Sequence, residues 1–139
     1  MMHKANHTNY IFSSDKENRT ESENRKVYAD AFRKLQARGY EVHQTFGKFQ
    51  GTIEDAFIVT VSDSDAKAGN DLVDFILLGL QQDAYITQDA HGRFALNAYI
   101  NRGIVITPAT YKNVLNPPAH EAKDYTYLPK NGKYLYLRF

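Results

Sequence analysis

The chain has 139 residues, of which 42% are hydrophobic, 24% are charged and 13% are aromatic, which is typical of one globular domain. The 17 Lys and Arg residues nearly balance the 16 Asp and Glu residues, so no global field draws the chain to nucleic acid or to an anionic membrane. The sequence contains no cysteine, which excludes disulfide scaffolds, thiolate zinc sites and cysteine nucleophiles.

The sequence carries no targeting or membrane signal that we recognise. The N-terminal run MMHKANHTNY lacks the apolar core of a signal peptide, and no apolar run reaches the roughly 20 residues that cross a bilayer. The lack of cysteine agrees with a reducing compartment. We therefore expect a cytoplasmic protein without a membrane partner.

The first part of the chain predicts a tail, a strand and a helix. Residues 1–9 are expected to be flexible, and residues 10–13 are typical of a short strand. Thr20 followed by Glu23 forms a capping box, and apolar residues then recur at helical spacing. This pattern predicts a first helix over residues 21–38.

A Gly-punctuated strand pair, GYEVHQTFGKFQGTIEDAFIVTV, follows the first helix. Alternation predicts a strand over residues 40–46, and apolar residues on both faces predict a central strand over residues 56–61. Gly47 and Gly51 are expected to bracket the turn between these strands.

The rest of the chain predicts one more helix and further strands. A broad apolar face indicates a helix that is capped by Ser62 or Ser64 and ends at Gly79. The run NPPAHEAKD is typical of a loop. In YTYLPKNGKYLYLRF, the dipeptide Asn-Gly between alternating Tyr and Leu residues predicts a terminal hairpin. The remaining strands are expected over residues 84–87, 93–99 and 103–107.

The order strand, helix, strand, strand, helix, strand predicts an α+β fold of the ferredoxin-like type. In this βαββαβ fold, two helices cover one face of an antiparallel sheet. We expect a single domain over residues 1–139, with the core in residues 10–96. Residues 97–139 would extend the sheet with the C-terminal hairpin.

Polar residues at the entry to the first helix suggest a ligand site. In SSDKENRTESENR, the side chains of Arg19, Asn24 and Arg25 accompany the free N–H groups of a helix N-terminus, a combination that binds phosphate or another anion. Glu54 and Gln82 lie where this fold would bring them near that entry. The alternative is structural, because polar residues also cap helices and form ion pairs at strand edges.

Neither a metal site nor a catalytic group is predicted. The five histidines are far apart and form neither an HxH nor an HExxH pattern. Adjacent carboxylates on a strand, such as Glu54 and Asp55, point to opposite faces and cannot share a site. We therefore expect no cofactor, no metal and, on balance, no enzyme activity.

The C-terminal hairpin combines aromatic and basic residues. Tyr134, Tyr136, Arg138 and Phe139 belong to types that anchor protein interfaces, and they also resemble a surface that stacks nucleic-acid bases. The near-zero net charge favours a protein partner over nucleic acid. Packing within the hairpin explains the same alternation without any partner.

The features SSDKENRTESENR, LQARGY, GKFQGTIEDAFIV and LLGLQQDAYITQDAHGRFAL resemble the bacterial and phage proteins of domain of unknown function 3293. The similarity covers about residues 10–96, and Asn24, Glu54 and Gln82 match the polar landmarks of that family. The region from about residue 97 onward has no counterpart in it. The resemblance implies no known reaction, and its occurrence in phages implies an accessory or host-directed role.

Two classes of function follow from these observations. The first is a non-catalytic binding protein, a phage or mobile-element accessory that engages a host protein through the C-terminal hairpin. The alternative is a protein that binds, or acts on, a nucleotide-like anionic small molecule through the helix-entry residues. Nucleic-acid binding ranks below both, and an open strand edge would favour a homo-oligomer.

Overall fold

The computed structural model describes residues 6–49, 51–114, 125–129 and 132–138. Eight strands, two α-helices and one π-helical turn make up these ranges. In chain order they are β1 (His7–Ser13), α1 (Glu21–Ala37), β2 (Glu41–Phe49), β3 (Thr52–Ser62), α2 (Ala66–Asp74), the π-helical turn (Phe75–Gly79), β4 (Ala84–Gln88), β5 (Phe94–Ile100), β6 (Gly103–Val114), β7 (Tyr125–Leu128) and β8 (Lys133–Arg138).

The strands form one closed antiparallel barrel in the order β1-β3-β2-β7-β8-β6-β5-β4. The prediction of a ferredoxin-like α+β fold is therefore wrong, although β1, α1, β2, β3, α2 and β4 occur in the predicted order, with the π-helical turn as a continuation of α2. That fold would leave β2 and β4 as sheet edges. Here β4 pairs with β5 and β2 pairs with β7, so both strands gain a second partner and the sheet closes.

Two local features allow this closure. Between β4 and β5, the Asp89 carboxylate accepts the N–H groups of His91 and Arg93 at 2.9 Å each, which fixes a tight turn. Between β2 and β7, Gly47 lies opposite Thr126, and a Cβ at Gly47 would collide with the Tyr125 carbonyl oxygen. Gly47 was expected to bracket the turn between the two strands, but it lies within β2, where the backbones of β2 and β7 approach each other closely.

The barrel separates two hydrophobic cores. Successive residues of a strand face opposite sides, so Phe57 and Val59 of β3 face the helices while Ile58 faces the barrel interior. The ring of Tyr28 in α1 stacks on Phe57 with 4.3 Å between centroids, and its hydroxyl donates to the Ala56 carbonyl at 2.6 Å. Among the described residues, the interior core includes Ile11, Ile58, Ile86, Phe94, Leu128, Leu135 and Leu137.

The helices begin where side chains can satisfy their free N–H groups. The predicted capping box at α1 is confirmed: the Thr20 hydroxyl accepts the Glu23 N–H at 3.1 Å, and the Glu23 carboxylate accepts the Thr20 N–H at 3.0 Å. The cap of α2 is Asp65, which accepts the Ala68 N–H at 3.0 Å, and neither of the predicted serines. The α-helix ends at Asp74, and the wider π-helical turn continues to Gly79.

Several element boundaries differ from those predicted. Strand β1 begins at His7, so residues 7–9 of the expected tail pair with β3. The predicted terminal hairpin is confirmed as the pair β7 and β8. The turn dipeptide includes residue 131, and the loop NPPAHEAKD falls within residues 116–124; both lie outside the described residues. Strand β6 is longer than predicted and continues to Val114.

Within the described ranges, neither helix combines the length and apolarity needed to cross a bilayer.

Candidate functional site

A cavity of about 710 Å³ opens at one end of the barrel, where β1 ends and β3 and β4 begin. Interior side chains form its apolar wall, including Ile11 of β1, Ile86 of β4 and Leu96 of β5. Phe49 at the end of β2 covers one side. The mouth of the barrel thus combines depth with an apolar floor, as small-molecule sites do.

The rim of the cavity is acidic. Asp15 and Glu17 come from the β1–α1 loop, Glu54 from β3 and Asp83 from the segment before β4. Among the described residues that line the cavity, Lys16 is the only cation, and its Nζ donates to the Gln81 carbonyl at 2.7 Å. The local charge is therefore negative, although the whole chain is nearly neutral.

Two of these carboxyl groups have raised pKa values. Burial raises the pKa of Glu54 most, and the charges of Asp15 and Glu17 raise it further, while the Ser13 hydroxyl opposes the shift. Burial also raises the pKa of Asp15, and the charge of Asp55 adds to this effect. One oxygen of Asp15, Oδ1, is buried without a hydrogen-bond partner in the structure. Both groups would gain from a cation or a hydrogen-bond donor in the cavity.

The loop that carries Asp15 and Glu17 is held by the first turn of α1. The Asn24 side chain accepts the Lys16 N–H at 3.0 Å and donates to the Lys16 carbonyl at 3.2 Å. The Arg19 guanidinium donates to the Ser14 carbonyl at 2.8 Å. These bonds fix the backbone on both sides of Asp15, so the carboxylate is positioned before any ligand arrives.

The opposite side of the mouth is shaped by the π-helical turn. The Leu80 N–H bonds to the Phe75 carbonyl at 2.8 Å, and the Gln82 N–H bonds to the Ile76 carbonyl at 3.1 Å. Gln81 has a φ of 55°, in the left-handed region. From there the Gln82 amide donates to the Asp15 carbonyl at 3.1 Å and joins this segment to the β1–α1 loop.

The residues predicted as a ligand site fall into three groups. Glu54 and Gln82 line the cavity. Arg19 and Asn24 hold the β1–α1 loop, and their polar atoms bond to it. Arg25 is exposed on α1 and does not line the cavity. The structure therefore brings four of the five residues to one end of the barrel, with two of them beneath the loop.

Sequence reasoning missed the acidic character of the site. Asp15 and Glu17 alternate with Lys16 and Asn18 in the same run that suggested an anion site. The sequence feature that could have predicted the acidic site is the position of these carboxylates in a loop directly after a buried strand. The prediction of an anion site depended on the basic residues of this run. The Arg19 guanidinium, however, donates to the Ser14 carbonyl and does not line the cavity.

The aromatic residues of the terminal hairpin pack against one another on the outside of the barrel. Tyr134 contacts Tyr125 and Tyr127 at centroid distances of 5.4 and 5.2 Å, and Phe46 of β2 stacks on Tyr127 at 5.2 Å. Tyr136 lies 6.2 Å from Tyr125. Phe139 and the Arg138 side chain, also predicted as interface residues, lie outside the described part.

No set of three or more His, Asp or Glu side chains in the described ranges is arranged to hold a metal ion. No protein-family model matches the chain, and no match was found among curated proteins. The resemblance to domain of unknown function 3293 accordingly stays a prediction.

Proposed function

We propose that this protein is a non-catalytic binding protein whose barrel mouth takes a small molecule with an apolar body and a protonated amine. The observation that carries the proposal is the cavity that joins an apolar floor to four carboxylates from three separate segments. We place this activity in the cytoplasm, in line with the cysteine-free sequence.

The electrostatics favour a cationic ligand. Glu54 and Asp15 are both costly to ionise in the free protein, chiefly because of burial; the charges of Asp15 and Glu17 add to this cost at Glu54, and the charge of Asp55 adds to it at Asp15. An ammonium group between them relieves the repulsion and supplies the hydrogen-bond donors that buried carboxylate oxygens need. The apolar wall around Ile11 and Leu96 then covers the rest of the molecule.

A nucleotide-like anion, the alternative suggested by the sequence, fits this cavity less well. Its phosphate would meet four carboxylates and one lysine whose ammonium group is engaged with Gln81. The two arginines intended for the phosphate do not line the cavity.

The experiment compares probes of similar shape and different charge. Phenethylamine, phenylethanol and phenylacetate share a ring and a short chain, and adenosine monophosphate represents the nucleotide class. We expect amide chemical-shift changes at the cavity in NMR titrations with the amine, weaker changes with the alcohol and none with the two anions. Stronger binding of phenylacetate or adenosine monophosphate, or no binding of any probe, would overturn the proposal.

A matched pair of variants locates the site. Glu54→Gln removes a charge inside the cavity, so the affinity for phenethylamine should fall by roughly tenfold. Asp74→Asn removes a charge from an exposed position that does not line the cavity, so the affinity should stay unchanged. An equal effect of both variants would show that only the net charge attracts the amine.

A further inference from the structure

The β5–β6 hairpin has a tight two-residue turn, which fixes the direction of its backbone groups. Asn101 and Arg102 have φ values of 51° and 67°, as in the type I′ turns that join adjacent strands. In such a hairpin the flanking pair, Ile100 and Gly103, is hydrogen-bonded, and bonded pairs alternate with non-bonded pairs along the strands. Ile104, Ile106 and Pro108 therefore direct their backbone polar groups away from β5.

On that side β6 has a partner over only part of its length. Strand β8 pairs with residues 110–114 of β6, and within the described ranges residues 103–109 pair with β5 alone. The N–H and C=O groups of Ile104 and Ile106 consequently form an open strand edge. Pro108 has no N–H group and ends this edge toward β8.

The side chains along the edge are apolar and exposed. Ile104 and Ile106 are 38% and 64% exposed, and Tyr99, opposite Ile104 on β5, is 48% exposed. These three residues lie on one face of the hairpin because the strands alternate. An apolar strand edge with free backbone groups is a template for pairing with another strand.

We propose that this edge pairs with the same edge of a second copy of the chain, across a two-fold axis at Val105. In this antiparallel register, Ile104 of one copy lies opposite Ile106 of the other. Each chain then contributes the two N–H and two C=O groups of Ile104 and Ile106, and all of them are paired in four hydrogen bonds. The register is symmetric, as a closed dimer requires.

Two features favour a second copy over an unrelated strand. Pro108 falls opposite Arg102 of the other copy, in the turn, so the missing N–H group removes no bond from this register. The symmetric arrangement also joins the two exposed patches, with Ile104, Ile106 and Tyr99 from each copy on the same face of the combined sheet. The apolar face and the backbone groups are thus covered by the same contact.

The test measures mass against concentration by sedimentation equilibrium. We expect a reversible monomer–dimer equilibrium in the unmodified protein. Ile106→Pro removes one edge N–H from each copy but leaves the β5–β6 bonds in place, and Ile106→Lys places a charge opposite Ile104 of the other copy. Each variant should raise the dissociation constant at least roughly tenfold, because symmetry applies the change twice.

Ile53→Lys is the matched control, since Ile53 is also 64% exposed but lies on β3, outside the edge. It should leave the equilibrium unchanged. A monomer at all concentrations, or a dimer that both Ile106 variants leave intact, would contradict the proposal.

Hydrogen exchange adds a second readout: the Ile104 and Ile106 amides should be protected in the dimer and exchange freely after dilution. Protection that persists in the monomer would show that another part of the chain covers the edge and would overturn the proposal.

Discussion

The Asn24 side chain links the sequence of α1 to the shape of the barrel mouth. Its amide group both accepts from and donates to the backbone of Lys16. We expect Asn24→Ala to lower the free energy of unfolding by about 1–2 kcal/mol, because the substitution leaves two backbone groups of the loop without partners. Urea denaturation measures this change, and phenethylamine titration should show a weaker complex because Asp15 is no longer held.

Arg25→Ala is the neighbouring control for Asn24→Ala. Arg25 is exposed and does not line the cavity, so its replacement should change stability by less than about 0.5 kcal/mol and leave amine binding unaltered. Reduced amine binding in Arg25→Ala, with normal stability, would return this residue to the ligand site that the sequence suggested.

Glu54 should make stability depend on pH in a direction opposite to that of a salt-bridged carboxylate. Its pKa is raised in the folded state, chiefly by burial, from an ordinary value of 4.5. The folded protein therefore holds this proton more tightly than the unfolded chain. The stabilisation is fully present below the ordinary pKa and is lost as pH rises through the raised pKa.

Glu54→Gln should remove this part of the pH dependence. The variant has no proton to lose, so its stability should fall less than that of the parent protein as the pH rises above the ordinary carboxyl pKa of 4.5. Denaturation series at several pH values measure the difference, with Glu21→Gln as the control, since Glu21 is exposed on α1 and does not line the cavity. A steeper decline in the Glu54 variant would mean that the carboxylate is stabilised in the folded protein.

The affinity of the parent protein for phenethylamine should rise over the same pH range, because the ionised carboxylate binds the ammonium group.

At the scale of elements, Gly47 decides whether β2 and β7 can pair. A Cβ on this residue would meet the Tyr125 carbonyl oxygen and the Phe49 ring. We expect Gly47→Ala to lower the free energy of unfolding by about 2 kcal/mol or more, because either the backbones separate or the ring shifts. In the variant, hydrogen exchange of the β7 amides should be accelerated relative to the parent protein, and by more than exchange of the β3 amides.

Gly103→Ala is a suitable comparison, since Gly103 also lies in a strand and a Cβ there would come no nearer than 3.9 Å to the Ile100 carbonyl oxygen. It should leave stability nearly unchanged. A similar loss in both variants would indicate a general cost of replacing glycine in these strands and not a specific requirement at the closure.

Local features of the sequence predicted local structure well, and the contacts between distant strands could not be predicted in the same way. The capping box at Thr20 and the terminal hairpin depend on residues a few positions apart, so their patterns are readable. The pairing of β2 with β7 joins Gly47 to Thr126 through backbone groups that every residue carries. Glycine at that position was equally compatible with a turn.

The candidate site was likewise predictable only in part: the position of its residues could be predicted, and the sign of its charge could not. Four of the five predicted residues lie at the barrel mouth because they flank the ends of neighbouring strands and the start of α1. The sign of the site's charge was not predictable, since it depends on which side chains of one loop turn inward. Arg19 folds back onto Ser14, whereas Asp15 and Glu17 line the cavity.

At the scale of the whole molecule, β3 couples the two cores. Phe57 and Val59 belong to the core beneath the helices, and Ile58 belongs to the barrel interior. Because both cores contain side chains of β3, disorder in either core should disturb this strand and, through it, the other core. We therefore expect Leu72→Ala in the helix-side core and Leu135→Ala in the barrel core to shift one common unfolding transition. Each side chain is almost fully buried, and each truncation should cost about 2–5 kcal/mol.

This expectation is tested by urea denaturation followed with far-ultraviolet circular dichroism and with tyrosine fluorescence, since the sequence has no Trp. The two signals should coincide in the parent protein and in both variants, because a single cooperative unit has one transition for every probe. Leu78→Ala serves as the control, since Leu78 is 74% exposed and its truncation should have little effect. If Leu135→Ala instead separated the two signals into distinct transitions, the barrel and the helical layer would fold as independent units despite sharing β3.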